Sequence, residues 1–304
     1  QTRALPQGMK IQVGNYKELV FTPEIFACIL QYPNASGSVE DYREFVEKAH
    51  AAHCKVAVDA DIMSLALLVP PGEWGADIVV HSTTKYMDGH ATSVGGCIVD
   101  SGNFDWDAHA DKFPGLCTPD ESYHGLTYSK AFGKMAYITK ATAQLMRDLG
   151  SIQSPQNAFL LNIGLETLHL RMPQHCKNAL AVATYLHNND KVAWVNYCGL
   201  PDNKYYELAQ KYMPNGSCGV ISFGLKGGRE VSIRFMDALQ LVAIVTHVAD
   251  ARTCVLHPAS HTHRQLTDEQ LLEAGVRPDL IRLSVGIENA GDIIADIEQA
   301  LEQI

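Results

Sequence analysis

"GADIVVHSTTKYMDGHATSVGGCIVD", residues 75 to 100, sets a lysine just past a short apolar run. Ile78, Val79 and Val80 read as a buried strand, and "GGCIVD" as a second one. Between them lies a polar stretch with Gly89 and Gly95, which permit tight turns. Lys85 is therefore either a solvated loop residue or an amine held at the mouth of a sheet.

The residues on either side favour the sheet. "ACILQYP" and "KVAVDAD" read as strands, as does "KIQVG" near the start. "SVEDYREFVEKAHAAH" reads as a helix, with Val39, Tyr42, Phe45, Val46 and Ala49 on one apolar face. Ser38 and Asp41 form a capping-box pattern at its start. "IMSLALL" is a short helix stopped by Pro70. This alternation, with nearly continuous apolar strands, predicts a parallel or mostly parallel α/β sheet.

Downstream, "AFGKMAYITKATAQLMRDLG" is helical and stops at Gly150. A long helical region follows, and Pro173 is expected to kink or split it after Met172. "KVAWVNY", "VISFGLKGG", "REVSIRFMDALQ" and "LIRLSVG" return to alternating strand and helix. The last helix carries Ile293, Ile294, Ile297 and Leu301 on one face. The expected domains are residues 1–150 and 151–304.

Composition narrows the function. Apolar residues make up 46% of the 304, enough for a sizeable core. The net charge of −10 without a long basic run argues against nucleic acid. "MSLALLVPPG" is too short to span a membrane and is broken by Pro70 and Pro71. Eight scattered cysteines without a C-x-x-C pair suit reduced thiols in a cytoplasmic enzyme. A chain that opens on Gln1 is expected to be a fragment or a processed chain.

In an open α/β sheet, ligands gather beyond the carboxyl ends of the strands. Asp59 or Asp61 ends one strand there, and His81-Ser82-Thr83-Thr84-Lys85 ends another. A carboxylate can hold a pyridinium N–H, a lysine can condense with an aldehyde, and hydroxyls can bind a phosphate. Together these are what a protein offers pyridoxal phosphate. Taken singly, each has a plainer reading: an Asp after a strand as a turn residue, a Lys as solvated.

Residues 81–304 resemble the Cys/Met-metabolism family of pyridoxal-phosphate enzymes, most closely its O-acetylhomoserine sulfhydrylases. The resemblance rests on the stretch quoted above and on "NAFLLNIGLETLHLRM", "GVISFGLKGGRE", "LHPASHTHRQLTDEQLLEAGV" and "DLIRLSVGIENAGDIIADIEQAL". It implies an α/β fold of the aspartate-aminotransferase type (fold type I): a large cofactor domain truncated at its amino-terminal side, then a smaller α/β domain. It implies that Lys85 is the Schiff-base lysine and that Ser82 and Thr84 touch the cofactor phosphate. It also implies that Asp59 meets the ring nitrogen, with Asp61 as the alternative, and that Arg282 grips the substrate carboxylate. His247 stands near that carboxylate, where the sulfhydrylases usually carry Asn. The implied activity is γ-replacement on O-acetyl-L-homoserine with sulfide or a small thiol, by a homo-oligomer.

Residues 1–80 resemble instead the amino-terminal half of a glycine decarboxylase P-protein, through "QYPNASGSVEDY" and "ADIMSLALLVPPGEWGADIV". The chain is thus expected to be a mosaic joined near residues 75 to 80. The phosphate cup of the sulfhydrylases lies upstream of the matching residues, so a folded chain that binds the cofactor weakly is one alternative. A P-protein-like subunit is another. A third reading makes His257, His261 and His263 ligands of a hydrolytic metal, since imidazole suits zinc. Pro258 opposes the helix that would align His257 with His261.

Overall fold

The structure, a computed structural model, describes residues 4–34, 38–61 and 69–304. Two sheets organise it. The first has the order β1 (Ala27–Tyr32), β2 (Lys55–Ala60), β3 (Ile78–Ser82), β4 (Gly96–Asp100). β1, β2 and β3 run parallel, and β4 returns antiparallel to β3 around the Lys85 turn. The parallel expectation holds for those three strands. The helix expected over "IMSLALL" lies outside the described residues.

α1 (Arg43–Ala51) covers one face of this sheet. The five apolar residues picked out from its sequence are all buried, against Val56, Val58 and Val79. Its start differs from expectation. Ser38 does not cap it; the Ser38 hydroxyl accepts from Asn34 Nδ2 at 2.7 Å and belongs to the preceding turn. The helix begins at Arg43, whose N–H donates to Asp41 Oδ1 at 3.1 Å. "KIQVG" forms no strand: Lys10 to Gly14 are all exposed, with no sheet edge beside them to satisfy their backbone.

The opposite face of the sheet is open. Ala57, Ile78, Gly96 and Ile98 floor a cavity of about 970 Å³, walled by Trp106, Phe113 and the helical segment 136–149. Lys55 is buried at its edge. Its Nζ donates to Asp77 Oδ1 at 2.6 Å beneath the Phe104 ring. Burial pushes this amine down to about 8, against the pull of Asp77. The pair sits at the amino ends of β2 and β3, away from Lys85.

The second sheet has the order β5 (Val192–Asn196), β6 (Val220–Leu225), β9 (Leu280–Ser284), β8 (Cys254–Leu256), β7 (Ala243–Ile244). Only β7 and β8 pair in parallel; the other neighbours are antiparallel. α2 (Pro155–Glu166) and α3 (Leu168–His187) lead into it, and α4 (Gly228–Ala238) and α5 (Ala290–Glu302) pack on it. Ile293, Ile297 and Leu301 of α5 are fully buried. Each contributes roughly 1.5–3 kcal/mol by leaving water.

The helical segment before residue 150 stops as expected at Gly150, which takes the left-handed conformation. The break expected after Met172 does not occur. Pro173 lies inside α3, and the chain breaks upstream at Thr167. Proline forfeits one N–H and crowds the carbonyl four residues back, His169. A helix that starts at Leu168 meets that conflict in its second turn, and the chain ahead of it bends instead.

Candidate active site

The site lies at the carboxyl ends of β2 and β3, where the second sheet meets the first. Lys85 follows β3 in a turn tied down from within. Thr84 Oγ1 accepts from Gly95 N at 3.0 Å and donates to Gly95 O at 3.2 Å. Asp88, 1% exposed, accepts from the N–H of Thr92 at 2.9 Å and from that residue's hydroxyl. The second sheet adds another tie, from Ala251 N to Gly89 O at 2.8 Å.

Among the described residues the Lys85 amine has neither a hydrogen bond nor an ion pair. Burial, followed by the positive charge of Arg282, lowers its pKa below the ordinary 10.5. Both causes favour the neutral amine, which is the nucleophilic form.

Arg282 projects from β9, opposite Ser222 of β6 and Leu256 of β8. Its Nη2 donates to Thr246 O at 2.8 Å and His247 O at 3.3 Å. No carboxylate among the described residues pairs with it, and burial lowers its pKa. A partly buried guanidinium that holds only backbone carbonyls keeps N–H groups available for an anion.

His247 joins this group. Its Nε2 is buried without a partner. Burial and then Lys85 lower its pKa, while Asp250 and Asp88 pull it back up. The ring is therefore biased to the neutral form beside two cations. Lys85, His247 and Arg282, far apart in sequence, thus form one electrostatic cluster.

Asp59 is level with Val80 in the β2–β3 register. Residues level in adjacent strands share a face, and alternation puts Ser82 on the same face as Val80. Asp59 and Ser82 therefore emerge together, both exposed. The Ser82 hydroxyl makes no hydrogen bond to the described residues. Asp61 lies past the end of β2; burial raises the pKa values of Tyr86 and Cys218, and the Asp61 charge adds a little to each.

The histidines of the metal reading do not form a site. His257 spends both ring nitrogens on Ser260 Oγ and Pro278 O, each at 2.9 Å. No group of three metal-ligating side chains occurs among the described residues. Sequence reasoning named His247 but missed Asp88 and the tie from Ala251 to Gly89. The hydroxyl-rich run after Asp88 is a turn signal that could have pointed to the first.

These observations define a class: an α/β protein with an unengaged lysine at strand ends and, near it, an arginine without a carboxylate partner. The comparisons with known proteins sharpen this. The chain belongs to the Cys/Met metabolism PLP-dependent enzyme family, whose model matches residues 30–302. It is 47% identical over 297 residues to the homocysteine synthase of Schizosaccharomyces pombe, covering 98% of this chain and 68% of that one. It is 45% identical over 270 residues to the O-acetyl-L-homoserine sulfhydrylase of Leptospira meyeri, covering 84% and 61%. A crystal structure described as an O-acetylhomoserine (thiol)-lyase of Campylobacter jejuni, with N'-pyridoxyl-lysine-5'-monophosphate, superposes with a TM-score of 0.83 at 34% identity. That match covers 93% of this chain and 67% of the other. The fold is thus of the aspartate-aminotransferase type. The chain spans between 61% and 68% of the length of these relatives.

The mosaic expectation is corrected by the same findings. The family match runs straight across residues 75 to 80, and the fission-yeast relative matches nearly the whole chain. One family accounts for both halves, and the glycine decarboxylase resemblance has no support. Short strand-and-turn pieces such as "GADIV" recur among related α/β folds, so they do not separate one family from another.

The residues fit pyridoxal phosphate on the structure's own terms. The unengaged Lys85 amine, the unpaired Arg282, the free Ser82 hydroxyl and the Asp59 carboxylate supply the donor set that this cofactor and an amino acid require.

Proposed function

We propose that this chain performs γ-replacement on O-acetyl-L-homoserine with sulfide or a small thiol, giving homocysteine and acetate. When bound, pyridoxal phosphate supplies the electron sink that makes protons on Cα and Cβ of an amino acid removable. With the cofactor bound, Lys85 would be the residue that holds its aldehyde carbon, and its amine would carry protons to and from Cα and Cβ of the substrate. Arg282 binds the substrate carboxylate bidentately, and His247 borders it. Asp59 would hold the protonated ring nitrogen. Ser82 would donate its free hydroxyl to the phosphate, and Thr84 would do so by turning its one O–H away from Gly95 O while still accepting from Gly95 N. Acetate leaves from Cγ, and the thiol adds there.

The observation that carries this reading is the unpaired Lys85 amine, with its pKa lowered, beside an arginine that has no carboxylate of its own. The relatives' names and the family support the substrate class. The reading extends to a cytoplasmic homo-oligomer, dimer or tetramer, and to a division of the chain near residue 150. No described helix is long and apolar enough to cross a membrane.

The test is a titration with pyridoxal phosphate followed by visible absorbance, beside an assay of sulfide-dependent homocysteine formation. The expected result is a yellow protein that turns over O-acetyl-L-homoserine, with both properties lost in Lys85→Ala. Colour without turnover would leave a cofactor-binding scaffold and overturn the activity. Colour that survives in Lys85→Ala would overturn the assignment of the lysine.

A further inference from the structure

Arg171 is buried in α3, 4% exposed, a place where a guanidinium is costly. Its Nη2 donates to Gly164 O at 2.7 Å and to Tyr86 O at 2.9 Å, and its Nε to Thr167 Oγ1 at 3.1 Å. Nη1 has no partner. No carboxylate among the described residues forms an ion pair with it; Asp88 acts on it only through space. If helix packing were its only role, an apolar side chain of similar volume would serve better.

What Arg171 holds explains the cost. Gly164 O belongs to the last turn of α2, at the break before α3. Tyr86 O belongs to the residue that follows Lys85. One side chain therefore joins the bend in the helical layer to the turn that carries the amine. Its Nη1 packs against Gly89, where the space for a Cβ is already taken by the guanidinium and φ is +71°. Among the described residues the other hydrogen bonds on this turn come from within it or from the second sheet. Arg171 supplies those from α3, whose His175 and Met172 otherwise meet Tyr86 through packing.

We propose that Arg171 is a positioning residue: by fixing the Tyr86 and Gly89 peptides it aims the Lys85 amine, without touching substrate or cofactor. This rests on the reading of Lys85 as the reactive amine. Gly89 is part of the same device, because any larger residue there displaces the guanidinium.

The test measures Lys85 itself. The parent chain, Arg171→Met, Arg171→Lys and Gly89→Ala are treated with pyridoxal phosphate and borohydride over a pH series. The adduct is then located and its rate measured by mass spectrometry, with the exposed Lys177 as internal control. Circular dichroism and thermal unfolding report the fold. Arg171→Met should slow labelling of Lys85 by roughly tenfold to a hundredfold, the cost of a small misplacement of a reacting group. It should also move the pH midpoint of labelling upward, as the amine regains water, while Lys177 labels unchanged. Gly89→Ala should do the same with the guanidinium still present, and Arg171→Lys should recover part of the rate. A folded Arg171→Met that labels Lys85 at the parent's rate and pH midpoint would overturn the proposal. If that variant does not fold, unchanged labelling in Gly89→Ala overturns it equally. A parent adduct on another lysine would overturn the functional reading, and this proposal with it.

Discussion

Lys85 illustrates a residue whose chemistry opposes its own fold. Burial and Arg282 place its folded pKa below the 10.5 of an unfolded chain. The folded state therefore gives up this proton more readily, so the charge weakens folding wherever the unfolded state still carries it. Above 10.5 both states are neutral and the cost vanishes. It grows as pH falls from 10.5 to the folded value and stays constant below that. Lys85→Met should accordingly raise the stability of the cofactor-free chain at pH 7, with the gain shrinking near pH 10. Urea unfolding at the two pH values checks this. A variant less stable than the parent at pH 7 would show that the amine is compensated by contacts not described here.

At the scale of elements, Asp296 joins α5 to the second sheet. It is 6% exposed, and its carboxylate accepts from the N–H groups of Gln240, Leu241 and Val242 at 2.8, 2.9 and 2.9 Å. These donors lie between α4 and β7, where the backbone would otherwise go unsatisfied. Asp296→Ala leaves three N–H groups without partners, that of Val242 buried and the other two partly so, at about 1–3 kcal/mol for a fully buried group. The expected loss is about 2–4 kcal/mol in denaturant unfolding, given that water reaches some of them. A loss below about 0.5 kcal/mol, the range of ordinary surface changes, would mean that the loop rearranges freely.

For the molecule as a whole, the uncovered feature is the apolar face of the first sheet. The cavity of about 970 Å³ above it is flanked by exposed Ile98, Leu145 and Leu149. Apolar patches of this kind bind apolar dyes and promote association. Anilinonaphthalene sulfonate should therefore fluoresce with the native chain well below the unfolding transition. Leu145→Lys, at the cavity wall, should reduce that signal while leaving the thermal transition in place. Dye binding equal in the variant and the parent would place the dye elsewhere.

The sequence by itself determined the alternation of the first sheet, the buried face of α1, the stop at Gly150 and the position of Lys85 at a strand end. Each of these is written in neighbouring residues: periodicity, a glycine at a helix end, a polar run after an apolar one. It did not place the break at Thr167, because a proline shows that a helix is under stress but not which peptide yields. Nor did it show that Ser38 would serve Asn34, since one hydroxyl has several local acceptors and packing chooses among them. The resemblance implied that Lys85, His247 and Arg282 share a site and that Asp59 rather than Asp61 serves it, but no local pattern showed this; the structure adds the sheet docking that brings the three together and the register that sets Asp59 beside Ser82. Arg171 lies furthest from sequence reasoning. On a helix it reads as an exposed cation, yet its partner Tyr86 is 85 residues away in the chain. Only the packing of α3 against the Lys85 turn buries that guanidinium and supplies the carbonyls it holds.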